Sequence, residues 1–228
     1  MAAMRKTIAA LAALLVLVTP DGAAAEVDRV RVFGDLATAR HVAVVVPGSD
    51  VDGARFDRTV GRMARSLHGA VGRSDVAVVA WLGYETPSGV GVDAAGGRLA
   101  RAGAGSLARY VRGLPGQVHL LCHSYGSVVC ALSGVEVADV VFLGSPGVRV
   151  ASAGDLRARV WAARGADDWT RWVPEVRIGD LGHGVDPTSA AFGARVFDPG
   201  SARRHDQYFD PGTESLRVLA RISAGERP

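Results

Sequence analysis

The stretch LLCHSYGSVVC, residues 120–130, constrains the fold of this chain more than any other. Gln117–Leu121 reads as a short buried strand, and Ser127–Leu132 as the start of a helix packing back on it. The residues between them, Cys122-His123-Ser124-Tyr125-Gly126, must therefore reverse the chain in one sharp turn. Such a turn strains the backbone at its central residue and lifts that side chain clear. This is the frame of the nucleophile elbow, G-x-S-x-G, in which a serine hydroxyl stands at the top of a parallel sheet. The second glycine is Gly126; the first is replaced by Cys122, another small residue. An ordinary strand-to-helix turn with a helix-capping serine has the same local pattern, so the rest of the chain must decide.

The order of elements favours a parallel sheet. Val30–Phe33 reads as a weak first strand and His41–Val46 (HVAVVV) as a strong buried one. A helical stretch over Ala54–Val71 places Phe56, Val60, Met63, Leu67 and Val71 on one face. Strand Asp75–Leu82, a glycine-interrupted helix over Asp93–Gly113, the elbow, strands Val140–Leu143 and Arg159–Ala163, and a last helix over Gly212–Ile222 follow. Continuously apolar strands alternating with helices predict an α/β fold, a mostly parallel sheet with helices on both faces. Reactive groups in such sheets gather beyond the carboxyl ends of the strands.

The first residues read differently. Arg5 and Lys6 precede the apolar run Thr7–Val18, and Ala23-Ala24-Ala25 follows Pro20 and Gly22. This pattern predicts a secretory signal peptide over residues 1–25, too short in its apolar part to span a bilayer, leaving a secreted chain with no stable membrane anchor. The remaining 26–228 has the size of a single domain. Without residues 1–25 the 26 basic and 23 acidic residues become 24 and 22, a net charge of +2, which argues against a nucleic-acid partner. GAGSLA (Gly103–Ala108) matches a dinucleotide fingerprint in letters, but it sits inside a helical run, so no cofactor is expected there. The six histidines and two cysteines lack metal-ligand spacing, so no metal is expected either.

The cysteines flank the elbow. Cys122 precedes the turn by about 6–7 Å of strand, and Cys130 follows it by about 6–8 Å of helix, so a disulfide between them is geometrically open in an exported chain. Two small buried thiols filling the strand–helix contact are the alternative.

A reactive serine needs a base, and that base an orienting carboxylate, in the chain order Ser, Asp/Glu, His for this type of sheet. Past strand Arg159–Ala163 the run RGADDW offers Asp168 as first choice, with the Gly-x-x-Asp spacing from Gly165, and Asp167 in reserve. His205 lies before the last helix, where the base belongs; His183, between two glycines, is the second choice and a candidate substrate contact. His123 is inside the elbow itself and too constrained to act as the base. Two backbone amides must also face a developing oxyanion: those of Tyr125, next to the serine, and Ser49, in the loop Pro47-Gly48-Ser49-Asp50. Trp169 and Trp172 follow the acid as candidate liners of an acyl groove; Trp81 and Tyr84 leave an adjacent strand toward the same rim, although Trp81 is better suited to the core.

With these pieces in place, VVVPGSD, AWLGYETP, LLCHSYGSVVC, FLGSPG, DDWTRWVP and HDQYFDPGTESL together resemble the α/β-hydrolase superfamily. More narrowly they resemble actinobacterial exported hydrolases known as a domain of unknown function. The resemblance covers nearly all of Val30–Ile222. It implies Ser124 as nucleophile, Asp168 or Asp167 as acid and His205 as base. It supplies no substrate.

Only 15 residues, Gly144–Ala158, join the two strands between which many such enzymes insert a helical lid, so a minimal fold with no lid domain is expected. Its open site would admit a small-molecule or surface-bound ester. The function expected is a secreted serine hydrolase working through an acyl-enzyme. A non-catalytic binding or cell-envelope module, or a peptidase or acyltransferase with the same three residues, is the alternative.

Overall fold

A computed structural model describes residues 29–228; the expected signal segment lies outside them. Seven strands form one sheet: β1 (Arg29–Phe33), β2 (His41–Val46), β3 (Val76–Leu82), β4 (Gln117–His123), β5 (Asp139–Leu143), β6 (Arg159–Ala163) and β7 (Arg195–Val196). Their order is β1-β3-β2-β4-β5-β6-β7; β1 runs antiparallel and all other pairs are parallel. The central strands are mostly apolar because both faces are covered. Val42, Val44 and Val46 pack beneath α3 (Arg98–Arg112) and α4 (Gly126–Leu132). The alternate residues Ala43 and Val45 pack beneath α1 (Val60–Val71) and α5 (Glu214–Ser223).

Two helices differ from expectation. The first starts at Val60 rather than Ala54. The Thr59 hydroxyl donates to the Arg55 carbonyl (2.6 Å) and the Gly61 amide to the Phe56 carbonyl (2.9 Å), so 54–59 wind as turns while Phe56 stays buried. The second splits at Gly96-Gly97 into the single turn α2 (Val92–Ala95) and α3. The Tyr125 hydroxyl fills that break, donating to the Gly96 carbonyl (2.8 Å) and accepting the Ala100 amide (3.1 Å).

Trp81 and Tyr84 do not reach the rim. Trp81 is 1% exposed and stacks on Tyr84, whose hydroxyl donates to the Pro47 carbonyl (2.7 Å). At the amino ends of the strands the buried Asp139 accepts from His119 (2.7 Å), Arg159 (2.8 and 2.7 Å) and Trp161 (2.8 Å), tying β4, β5 and β6 together. The β5–β6 connection holds one short 3₁₀ turn, Ala153–Asp155, and no helical lid.

Cys122 at the end of β4 and Cys130 in α4 form a disulfide, with Cα atoms 6.4 Å apart. Closing so short a loop restricts the unfolded chain by at most about 2.5 kcal/mol. Reduction and alkylation are therefore expected to shift a chemical denaturation midpoint modestly without abolishing folding. A wholly unfolded reduced protein would contradict so small a contribution.

Candidate active site

β4 ends at His123, and the next residue turns the corner. Ser124 has φ +54°, a left-handed conformation that costs a side chain about 1–2 kcal/mol and is kept by the surrounding structure. Its amide donates to the Leu143 carbonyl (2.9 Å), which pins the corner to β5. Two glycines make room for this corner. A Cβ on Gly126 would lie 2.5 Å from the Pro47 carbonyl oxygen, and one on Gly48 would lie 2.5 Å from the Ser124 Cβ.

Ser124 Oγ lies 2.9 Å from His205 Nε2, and His205 Nδ1 lies 2.9 and 3.0 Å from the two carboxylate oxygens of Asp168. The serine follows β4, the aspartate follows β6, and the histidine precedes α5. Asp168 is fully buried, and burial alone would raise its pKa. Hydrogen bonds from His205 and Tyr208 and the nearby histidine charge outweigh that, as does the Thr170 amide, and hold the carboxyl well below the usual carboxylate range. The Tyr208 hydroxyl reaches Asp168 Oδ2 at 2.5 Å while accepting the Gly165 amide (2.9 Å), and the Thr170 hydroxyl and amide reach Oδ1 at 2.7 and 2.9 Å. Asp167, one residue earlier, points elsewhere: it is exposed and paired with Arg203 (2.7 and 3.1 Å).

His123 has a part that the sequence did not suggest. Its buried ring packs against that of His205 (centroids 4.7 Å), and its Nε2 lies 2.7 Å from the His205 carbonyl oxygen. Burial, helped by the neighbouring His205, lowers its pKa to about 4. The imidazole is thus neutral near pH 7 and donates an N–H that fixes the histidine loop. Replacing His123 with Phe keeps the ring and strands that carbonyl, a loss of about 1–3 kcal/mol. His123→Gln, which restores a donor, should recover most of it. Thermal melts of the two variants would check this, and equal melting temperatures would show that the bond is immaterial.

A cleft of about 530 Å³ opens on Ser124. Val51, Val60, Met63, Val90, Trp169 and Val176 give it an apolar lining. Ser49 and Tyr125 line it beside Ser124, and among the described residues neither amide donates a hydrogen bond within the chain. His183 also lines it, but is held away from Ser124: its ring nitrogens lie 2.7 Å from the Ala94 carbonyl and 3.3 Å from Arg149 Nε. Trp169 packs against the His205 ring (centroids 4.9 Å) and forms part of the wall. Trp172 is 79% exposed with Arg171 over its ring, outside the cleft lining.

A parallel sheet with a serine raised at the β4–α4 corner, and an aspartate and histidine meeting it from later connections, is the α/β-hydrolase architecture. The chain belongs to this family: a family model described as alpha/beta hydrolase matches residues 21–178, a span that holds Ser124 and Asp168 and ends before His205. The chain is 32% identical, over 238 aligned positions, to an uncharacterized protein of Mycobacterium tuberculosis. That match takes in 85% of this chain and 36% of the relative, so the chain spans about a third of the relative's length. Among solved structures it is similar to a carboxylesterase from Mesorhizobium loti (TM-score 0.53, 18% identity, 89% of this chain and 97% of that one). It is also similar to an α/β serine hydrolase without lid from Xanthomonas campestris (TM-score 0.52, 18% identity, 86% and 87%). Identities this low speak for the fold alone.

Proposed function

We propose that the protein is a secreted serine hydrolase that cleaves ester-type acyl substrates. The observation that carries this reading is the unbroken line of hydrogen bonds from Ser124 through His205 to Asp168, at the mouth of an apolar cleft. In the proposed reaction Ser124 Oγ attacks the acyl carbonyl carbon and its proton passes to His205 Nε2. The carbonyl electron pair moves onto oxygen, where the unspent amides of Ser49 and Tyr125 receive it. As the tetrahedral centre collapses, the ester C–O bond breaks, and the departing alcohol takes the proton from His205. Water then attacks the acyl-enzyme by the same route, releasing the acid and restoring Ser124. Every proton and electron pair moves between substrate, water and these side chains, so the reaction calls for no cofactor or metal. Asp168 holds His205 in the tautomer that presents Nε2 to the serine and stabilises the imidazolium.

The test is covalent labelling of the wild-type chain by a fluorophosphonate. Serine-dependent labelling supports an enzyme; no labelling of a folded chain would favour a binding module with a dead site. Loss of labelling in His183→Ala but not in His205→Ala would move the base to His183. The signal-like start and the bridged cysteines support export. Mass spectrometry of protein from the culture medium should find a mature chain starting at Glu26 with no free thiol; an uncleaved chain with two thiols would remove both supports.

A further inference from the structure

Ten large apolar side chains are exposed among the described residues, and their distribution is uneven. Val30, Val32 and Val196 belong to the two edge strands of the sheet. The other seven surround the cleft. Val90, Trp169 and Val176 line its wall, and Val92, Trp172, Ile178 and Leu181 continue outward from it without lining it. The two halves of this collar are joined: the Gly182 amide donates to the Ala95 carbonyl (2.9 Å), and Asp180 binds Arg101 (2.7 and 3.1 Å) and Arg149 (3.1 Å).

We infer that this collar is a docking surface for a lipid layer with anionic headgroups, which would deliver ester substrate to the cleft from its plane. A single ester molecule filling the cleft leaves Val92 (76% exposed) and Ile178 (77%) in water, because neither lines it. A second copy of the chain seated on the collar would cover the cleft mouth. A lipid layer covers the whole collar and leaves the cleft open to acyl chains, and tryptophans at the water boundary suit that position. Charge points the same way. Asp93 is paired with Arg98 (3.1 Å) and Asp180 is shared by Arg101 and Arg149, while Asp50 at the cleft accepts the Gly89 amide. Arg171 and Arg177 are exposed and donate to backbone carbonyls, those of Ala166 and Arg149, rather than to carboxylates. Asp50, Asp93, Glu175 and Asp180 thus face Arg98, Arg101, Arg149, Arg171 and Arg177, an arginine excess of one that is complementary to anionic headgroups. The docking surface stands on exposure and charge; its link to an ester rests on the hydrolase reading.

The test is cosedimentation of the folded chain with vesicles of phosphatidylcholine alone and of phosphatidylcholine mixed with phosphatidylglycerol. Wild type should bind the mixed vesicles more tightly. Val92→Asp and Ile178→Asp should each weaken partitioning about tenfold, and together about a hundredfold. Turnover of a water-soluble acetate ester should be unchanged in both. Arg171→Glu with Arg177→Glu should remove the preference for the mixed vesicles. Absence of wild-type binding, or a double variant that binds like wild type, would overturn the inference. So would a wild-type dimer in sedimentation velocity that the Val92→Asp, Ile178→Asp chain cannot form, since the collar would then belong to a second copy. Vesicle binding without fluorophosphonate labelling sinks the hydrolase reading alone; labelling without vesicle binding sinks the docking surface alone.

Discussion

Ser124→Ala is expected to abolish fluorophosphonate labelling and to lower ester turnover by about 10⁴–10⁶-fold. The expectation is this large because the hydroxyl is the only side chain in the proposed scheme that forms a bond to the acyl carbon. The Ser49 and Tyr125 amides and the apolar cleft remain in the variant, and they account for whatever residual rate persists. The fold should survive. Alanine tolerates the left-handed corner about as poorly as serine does, so the backbone cost is shared. The substitution removes one hydrogen bond to a part-buried histidine. Single-turnover assays beside a denaturation curve would check both halves. Undiminished turnover by a folded Ser124→Ala chain would end the nucleophile assignment.

The second large effect separates two adjacent carboxylates. Asp168→Asn is expected to cost about 10⁴-fold in kcat, whereas Asp167→Asn should change it by less than about threefold. Asp168 is buried and receives His205, Tyr208 and Thr170. An amide there places its own N–H₂ against donors and favours the wrong histidine tautomer. Asp167 only forms an exposed pair with Arg203, an interaction of small value. The pH dependence follows the same geometry. A carboxyl whose folded-state pKa is depressed contributes stability above its unfolded pKa, and loses it as pH falls through the folded value. Asp168 therefore remains ionised throughout the weakly acid range, so a loss of activity there does not come from its protonation. Reversed rankings of the two asparagine variants would shift the acid by one residue and leave the fold untouched.

Much of this arrangement is legible in the residues themselves. The elbow shows because a strand, a sharp turn and a helix leave contiguous marks in apolar pattern and glycine placement. Asp168 and His205 show because chain order and strand exits narrow the candidates to two acids and two histidines; the buried carboxylate and the geometry at His205 separate them. Tyr208 and Thr170 give no such sign. Their partner is Asp168, and the hydrogen bond from Tyr208 exists only once two loops 40 residues apart meet. His123 is too constrained to act as a base, yet constraint is its use, since a fixed ring beside the elbow can hold the histidine loop. Trp81 lies near the end of β3, close enough in sequence to the rim to suggest exposure, but its place in the strand turns it under α3 beside Tyr84 and Tyr110. The antiparallel direction of β1 leaves no trace in its five residues, because strand direction is a property of the connection and the neighbour.

The disulfide also bears on the order in which the molecule assembles. Cys122 and Cys130 are eight positions apart in sequence, and Ser124 and His205 are 81 apart. Closing the longer loop costs about 2 kcal/mol more in chain entropy, so the two thiols meet often while the serine and histidine still meet rarely. If the chain is exported as proposed and meets an oxidant early, it enters sheet assembly with its corner already crosslinked. The histidine loop, whose contact with Ser124 closes the longer loop, then docks on a corner that is already crosslinked.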